Sequence, residues 1–143
     1  MTLRTRCISS GYDLIESQVM SMVRRVLIVD DSRTTIEVVK VHLMNHGYKF
    51  ITASDASEAL ALVQLDVPHL IISDLVMPGV SGIELCKQIR ALPGLRRVPF
   101  VVVTAAKDDA LRRDAFAAGV DGFIRKPIDS TRLTLLVAEL LNR

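Results

Sequence analysis

The sequence predicts an α/β fold, in which a parallel sheet is covered by helices on both faces. Short apolar runs alternate with amphipathic stretches five times, and the connections between them are short. Apolar runs of this kind are typical of strands that are buried on both faces, as in parallel sheets. For a chain of 143 residues, the alternation favours one doubly wound domain. Right-handed crossovers leave a few possible strand orders, and the pattern itself does not choose among them.

The amino-terminal half contains two strand–helix pairs and a third strand. The first helix should bury Ile36, Val39 and Leu43, because they lie on one helical face. Ser32 should cap this helix, and Gly47 should end it. The expected strands here are 24–29, 48–53 and 69–73, and the expected helices are 33–46 and 56–65.

Proline and glycine separate the elements of the carboxyl-terminal half. Pro78, Gly79 and Gly82 indicate a tight loop after the third strand, and Pro93-Gly94 should close the third helix. The expected elements here are a helix at 83–92, a strand at 100–103, a helix at 108–118, a strand at 122–125 and a helix at 130–141.

Composition excludes several classes of function. The formal charge of +2 is too small to indicate nucleic acid binding. No apolar run approaches the ~20 residues of a transmembrane helix, so neither nucleic acid nor a membrane is an expected partner. Cys7 and Cys86 are too few for a disulfide framework and lack metal-ligand spacing. They indicate a reducing, cytoplasmic location.

Residues 1–22 differ from the rest of the chain. They lack the features of a signal peptide, and we expect an extension, flexible or not native, outside a domain at 23–143. Leu14, Ile15, Val19 and Val23 are nevertheless spaced as one loose helical stripe. A docking or dimerising helix therefore remains the alternative.

Polar side chains follow four of the predicted strands. Because the carboxyl ends of parallel strands share one edge of the sheet, these side chains should converge there. Carboxylate oxygens suit Mg²⁺, and a carboxylate can also accept a phosphoryl group as an aspartyl-phosphate. A hydroxyl and an ammonium can bind phosphoryl oxygens. The residues are Asp30 and Asp31 after the first strand, Asp74 after the third, Thr104 after the fourth and Lys126 after the fifth.

Four segments around these residues resemble the signature segments of response-regulator receiver domains. The resemblance covers about residues 23–143, and it implies a flavodoxin-like, single-domain fold similar to chemotaxis regulators. Five parallel strands in the order 2-1-3-4-5 would be flanked by five helices. The matching segments are 26–33, 74–82, 101–106 and 118–127.

The resemblance also implies roles for individual residues. Asp74 matches the phosphoacceptor, while Thr104 and Lys126 match the pair that grips the phosphoryl group. Thr104 and Phe123 match the switch residues that move on activation, and the Lys126–Pro127 bond should be cis.

The implied metal is Mg²⁺. Asp30 and Asp31 match the acidic pair that holds it, and Asp74 completes the carboxylates. The backbone carbonyl of Val76 would be a further ligand.

The implied partners are proteins. A histidine kinase or histidine phosphotransfer protein would donate the phosphoryl group, and a downstream target would bind the face of the fourth helix, fifth strand and fifth helix. The chain would be a monomer or a phosphorylation-linked dimer. Because no DNA-binding output domain follows the last helix before residue 143, we expect a stand-alone receiver; a fragment of a longer regulator would look the same. The candidate docking residues for the donor are Thr34, Thr35, Val38, Val41 and Pro127; the two valines should be exposed, since both lie off the buried stripe.

A receiver of this kind is not expected to be an enzyme beyond its own phosphorylation and slow autodephosphorylation. The side chains of Val76 and Ala106 cannot hydrogen-bond an attacking water, so the phosphorylated form should not be unusually short-lived. One alternative is a phosphatase with an aspartate nucleophile, but Val76 and Ser32 stand where its second aspartate is needed. The other alternative is an adaptor that binds its partner without phosphate.

Overall fold

The computed structural model describes residues 23–143; residues 1–22, with the extension expected there, lie outside the described part. Five parallel strands form one sheet in the order β2-β1-β3-β4-β5, which confirms the doubly wound fold and the implied strand order. Its elements are β1 (Arg25–Val29), α1 (Arg33–Leu43), β2 (Lys49–Ala53), α2 (Ala56–Leu65), β3 (Leu70–Asp74), α3 (Gly82–Arg90), β4 (Phe100–Thr104), α4 (Asp109–Ala117), β5 (Gly122–Arg125) and α5 (Ser130–Leu141).

The sheet separates two apolar cores, because alternate strand residues point to opposite faces. Leu27 and Val29 pack on one side with α2, α3 and α4. Val26 and Ile28 pack on the other side with α1 and α5. The predicted stripe of α1 is confirmed, since its three apolar residues belong to this second core: Ile36, Val39 and Leu43.

The strand register decides which side chains meet at the carboxyl edge. Val29 pairs with Ser73 of β3, so the residues that follow them, Asp30 and Asp74, are neighbours. Asp74 itself pairs with Val103 of β4, and Thr104 pairs with the last residue of β5. The four strand ends β1, β3, β4 and β5 therefore lie side by side.

Helix α1 ends earlier than the sequence predicts. Its last residue is Leu43, and Asn45 adopts a left-handed φ of 69° two residues later. Asparagine tolerates this conformation better than other non-glycine residues. The chain therefore leaves the helix before it reaches Gly47, whose φ of 79° belongs to the following loop.

The amino-terminal cap of α1 is formed by the residue that the sequence predicts. The Ser32 hydroxyl accepts a hydrogen bond from the Thr35 N–H at 3.3 Å, as expected for the cap of α1.

Within residues 23–143, none of the helices combines the length and apolar character needed to cross a bilayer.

Candidate functional site

Three carboxylates form a cluster at the carboxyl edge of the sheet. Asp30, Asp31 and Asp74 each offer an oxygen, and these oxygens lie within 4.8 Å of one another. Asp30 is buried, Asp31 is exposed and the side chain of Asp74 is 12% exposed. Like charges this close repel unless a cation stands between them.

Asp30 is the deepest carboxylate of the cluster. Its backbone N–H donates to the Ala53 carbonyl at 3.0 Å, and its Oδ1 accepts from the Ser32 N–H at 2.8 Å. Burial raises the pKa of this carboxyl, and the charges of Asp74 and Asp31 act in the same direction, against the Ser32 N–H and Lys126. Ionisation of Asp30 is therefore less favourable than that of a solvent-exposed aspartate.

Asp74 lies between a backbone donor and an ammonium. Its Oδ1 is 3.4 Å from the Val76 N–H, and its Oδ2 is 4.0 Å from Nζ of Lys126. Phosphoryl oxygens added to Asp74 would therefore lie within reach of a fixed positive charge.

Two residues that the sequence analysis did not assign to the site lie against the backbone carbonyl of Asp74. The buried Ser73 hydroxyl donates to the Asp74 carbonyl at 2.8 Å. A Cβ built at Gly82 would overlap that same carbonyl oxygen, and the Gly82 N–H donates to the Leu75 carbonyl at 2.8 Å. Gly82 had been interpreted as a turn residue, but the structure shows that it allows α3 to approach the end of β3.

Thr104 and Lys126 are joined through the backbone. The Lys126 N–H donates to the Thr104 carbonyl at 2.8 Å. The Thr104 side chain is buried, and its Oγ1 accepts from the Ala106 N–H at 3.1 Å. The Lys126–Pro127 bond is cis, as the resemblance implies.

Phe123 is part of an aromatic contact that reaches the surface. Its side chain is only 6% exposed, and its ring centroid lies 6.5 Å from that of Phe116 on α4. Phe116 is exposed, and the Arg112 guanidinium lies 5.5 Å from its ring centroid. No sequence signal had indicated Phe116, because its contact with Phe123 arises only when α4 packs beside β5.

The donor set fits a hard divalent cation. Carboxylate oxygens are the ligands that Mg²⁺ prefers, and the exposure of Asp31 leaves room for the waters that Mg²⁺ retains. The part assigned to the Val76 carbonyl stays a prediction.

The candidate docking residues lie at the surface beside this edge. Thr34 and Pro127 are exposed, and Thr35 is partly buried. The side chains of Val38 and Val41 are 38% and 59% exposed, which confirms the exposure expected from the helical spacing. Their part in docking a donor stays a prediction.

Comparison with known proteins identifies the family. The family model described as the response regulator receiver domain matches residues 26–138. The chain belongs to the response regulator receiver domain family. Within this family, the resemblance seen in the four signature segments extends over most of the described residues.

Curated relatives of this receiver domain include larger regulators. The response regulator PleD of Caulobacter vibrioides is 32% identical over 132 residues, and the alignment covers 85% of this chain and 29% of PleD. The phosphate regulon transcriptional regulatory protein PhoB of Rhizobium meliloti is 31% identical over 122 residues, and the alignment covers 85% of this chain and 54% of PhoB. The chain therefore spans from about a third to about half of these relatives.

Solved structures agree with the fold of this receiver domain. The chemotaxis response regulator CheY4 of Vibrio cholerae superposes with a TM-score of 0.77 at 30% identity, covering 83% of this chain and 99% of CheY4. The signal receiver domain of a signal transduction histidine kinase from Syntrophus aciditrophicus superposes with a TM-score of 0.77 at 34% identity, covering 84% of this chain and 91% of that domain.

Proposed function

We propose that this receiver domain accepts a phosphoryl group on Asp74 from a phosphohistidine and then signals to a protein partner. The observation that carries the proposal is the convergence of three carboxylates with Lys126, whose Nζ is 4.0 Å from Asp74. A lone carboxylate at a strand end is an ordinary turn residue, but this combination supplies a nucleophile, a cation site and a phosphoryl contact together.

The proposed transfer is one displacement at phosphorus. A carboxylate oxygen of Asp74 attacks the phosphorus, a P–O bond forms and the P–N bond to the donor imidazole breaks. The imidazole nitrogen keeps the electron pair of the broken bond. Lys126 then faces the new phosphoryl oxygens, and the Thr104 hydroxyl, whose oxygen accepts from the Ala106 N–H, still has its proton to donate to them.

Asp30, Asp31 and Asp74 would hold the Mg²⁺ of this site. When bound, Mg²⁺ supplies positive charge that offsets repulsion between the carboxylates and the incoming phosphoryl oxygens. The carboxylate positions and the raised pKa of Asp30, caused first by burial, support this assignment.

We further propose that the phosphorylated state is read through Thr104 and Phe123. Phosphorylation adds about −1.5 to −2 charge and new acceptor oxygens, which attract the Thr104 hydroxyl. The contact between Phe123 and Phe116 then carries the change to the face of α4, β5 and α5, where a downstream protein would bind. We also propose a cytoplasmic location, which is the location expected from the cysteine content.

The same site supports a stoichiometric switch better than a turnover enzyme. An aspartate-based phosphatase would need a second acid two residues after its nucleophile, where Val76 stands with its side chain 65% exposed. Slow loss of the phosphoryl group to water is the only further reaction proposed.

Phosphotransfer profiling tests the proposal. The full chain and its Asp74→Asn variant are each mixed with labelled histidine kinases or phosphotransfer proteins of the source organism. Label should pass rapidly to the wild-type chain from at least one donor and not to the variant. Equal labelling of both proteins would overturn Asp74 as the acceptor, and no labelling from any donor would favour the phosphate-independent adaptor.

A further inference from the structure

A small apolar groove lies at the amino edge of the sheet, opposite the acidic cluster. It sits between the carboxyl end of α2 and strands β1 and β2. Two apolar side chains at this end of the molecule face solvent, Leu65 at 83% exposure and Val67 at 42%. The groove is lined by Leu27, Ile51, Leu62, Val63, Leu65, Asp66 and Pro68.

The size and chemistry of the groove indicate a protein side chain as its occupant. Its volume is about 70 Å³, well below the ~300–1,000 Å³ of small-molecule pockets. Asp66 is the only charged residue of its lining, and Oδ2 of Asp66 lies 3.2 Å from Nε of Arg25. An apolar side chain could therefore enter without leaving a charge unpaired.

The described chain begins beside this groove. The Arg24 carbonyl accepts from the Lys49 N–H at 2.9 Å, so the ladder with β2 continues ahead of β1. The Arg25 side chain lies on the groove side, where its Nη2 donates to the Val67 carbonyl at 2.7 Å. Val23, the first described residue, is two positions before Arg25, so the chain enters the described domain at this end of the molecule.

We propose that residues 14–19 of the same chain pack over this groove and insert one of their apolar side chains into it. Leu14, Ile15 and Val19 supply the apolar stripe that the sequence analysis left without a function. Val19 precedes Val23 by four residues, a span of ~6 Å as helix or ~13 Å as extended chain. Val19 is therefore tethered within ~13 Å of Val23, at the end of the molecule that carries Leu65.

This docking is independent of the phosphoryl site. The groove lies at the amino ends of the strands, whereas Asp74 lies at the carboxyl end of β3. Burial of the stripe should protect the end of α2 from local opening while leaving phosphotransfer unchanged. Failure of the proposed receiver function would not affect this inference, and failure of the docking would not affect the receiver function.

Hydrogen–deuterium exchange on the full chain tests the docking. A variant carrying Leu14→Asp and Val19→Asp should exchange the amides of residues 62–67 about tenfold faster than wild type, because the buried stripe is lost. Reciprocally, Leu65→Asp should speed exchange in residues 13–20. Leu65 lies outside the two apolar cores, and exchange in β3 serves as a check that each variant is folded.

Leu135→Asp is the matched control, since Leu135 is 65% exposed on α5, across the sheet from the groove. It should leave exchange at 13–20 and 62–67 unchanged. Unchanged exchange at 62–67 in the double variant would overturn the proposal. Protection that grows with protein concentration would also overturn it, because a second copy would then fill the groove.

Discussion

At the residue scale, the acidic cluster combines a function with a cost in stability. Asp30 is buried beside two other carboxylates, and burial is the main reason that its pKa is raised. A sequence selected only for stability would not place three acids at one sheet edge. The cost is consistent with a site that is completed by a cation.

The first prediction concerns Mg²⁺ and stability. Free Mg²⁺ at ten times its Kd should stabilise the wild-type chain by about 1.4 kcal/mol, seen as a rise in Tm of several degrees relative to EDTA. Asp31→Asn should lose most of this rise, because one of the three carboxylates is neutralised. Asp114→Asn, which changes an exposed residue of α4, should keep it. An undiminished rise in Asp31→Asn would count against the site.

The second prediction separates the position of Asp74 from general stability. Gly82→Ala places a methyl group against the Asp74 carbonyl, which should cost about 1–3 kcal/mol and slow phosphoryl uptake. In Gly122→Ala, the three atoms nearest to the added methyl group all belong to the flexible side chain of Leu136. The Gly122→Ala variant should be less stable than wild type but should take up the phosphoryl group at the same rate. Uptake is measured as phosphoprotein formation at a temperature where both variants are folded. Equal uptake in the two variants would contradict the role of Gly82.

At the element scale, one arginine ties the end of α3 to two loops and a strand. The guanidinium of Arg90 donates to the Gly119 carbonyl at 2.8 Å and to Asp121 Oδ2 at 3.0 Å. It also donates to the Val98 carbonyl, and Asp121 Oδ2 accepts from the Phe100 N–H at 2.9 Å. These contacts join α3 to the starts of β4 and β5, far from the acidic cluster.

The third prediction tests this junction. Arg90→Leu should lower the free energy of unfolding by about 2–4 kcal/mol, because the Val98 and Gly119 carbonyls lose their guanidinium donor and partly buried Asp121 loses one of its two arginine partners. Arg113→Leu, at an exposed position of α4, should change it by less than about 0.5 kcal/mol. Chemical denaturation measures both. Similar losses in the two variants would mean that the Arg90 contacts add little.

The fourth prediction concerns the exposed face of α1. Glutamate at both Val38 and Val41 should slow phosphotransfer from the donor protein about tenfold or more, because an apolar contact is replaced by charge at the interface. Phosphorylation by phosphoramidate, a small phosphodonor with a P–N bond, should be unaffected. Leu135→Glu, a charge at an equally exposed leucine of α5, is the control. Unchanged transfer from the protein donor would exclude this face.

At the scale of the whole molecule, the sheet brings together residues that are far apart in sequence. Asp30, Asp74 and Lys126 meet because β1, β3, β4 and β5 run parallel and end at one edge. The same architecture places the apolar groove at the opposite edge. The phosphoryl site and the groove proposed to bind residues 14–19 therefore lie toward opposite edges of the sheet.

The convergence at the carboxyl edge could be predicted because it depends only on strand polarity and on which residues follow the apolar runs. The strand order came from the resemblance to a family, since hydrophobic periodicity does not specify neighbours. Ser73, Gly82 and Phe116 were missed because their roles arise from tertiary contacts. The end of α1 was misplaced because Asn45, rather than a glycine, adopts the left-handed conformation.

The fifth prediction addresses the central claim, that Asp74 is the phosphoacceptor. The full chain is incubated with phosphoramidate and Mg²⁺, and the product is examined by intact mass and peptide mapping. We expect the mass of a single added phosphoryl group, located on Asp74 and absent from Asp74→Asn. Hydroxylamine should remove it as inorganic phosphate and leave a hydroxamate, as it does with acyl phosphates. A phosphoryl group on another residue, or equal incorporation by Asp74→Asn, would contradict the account.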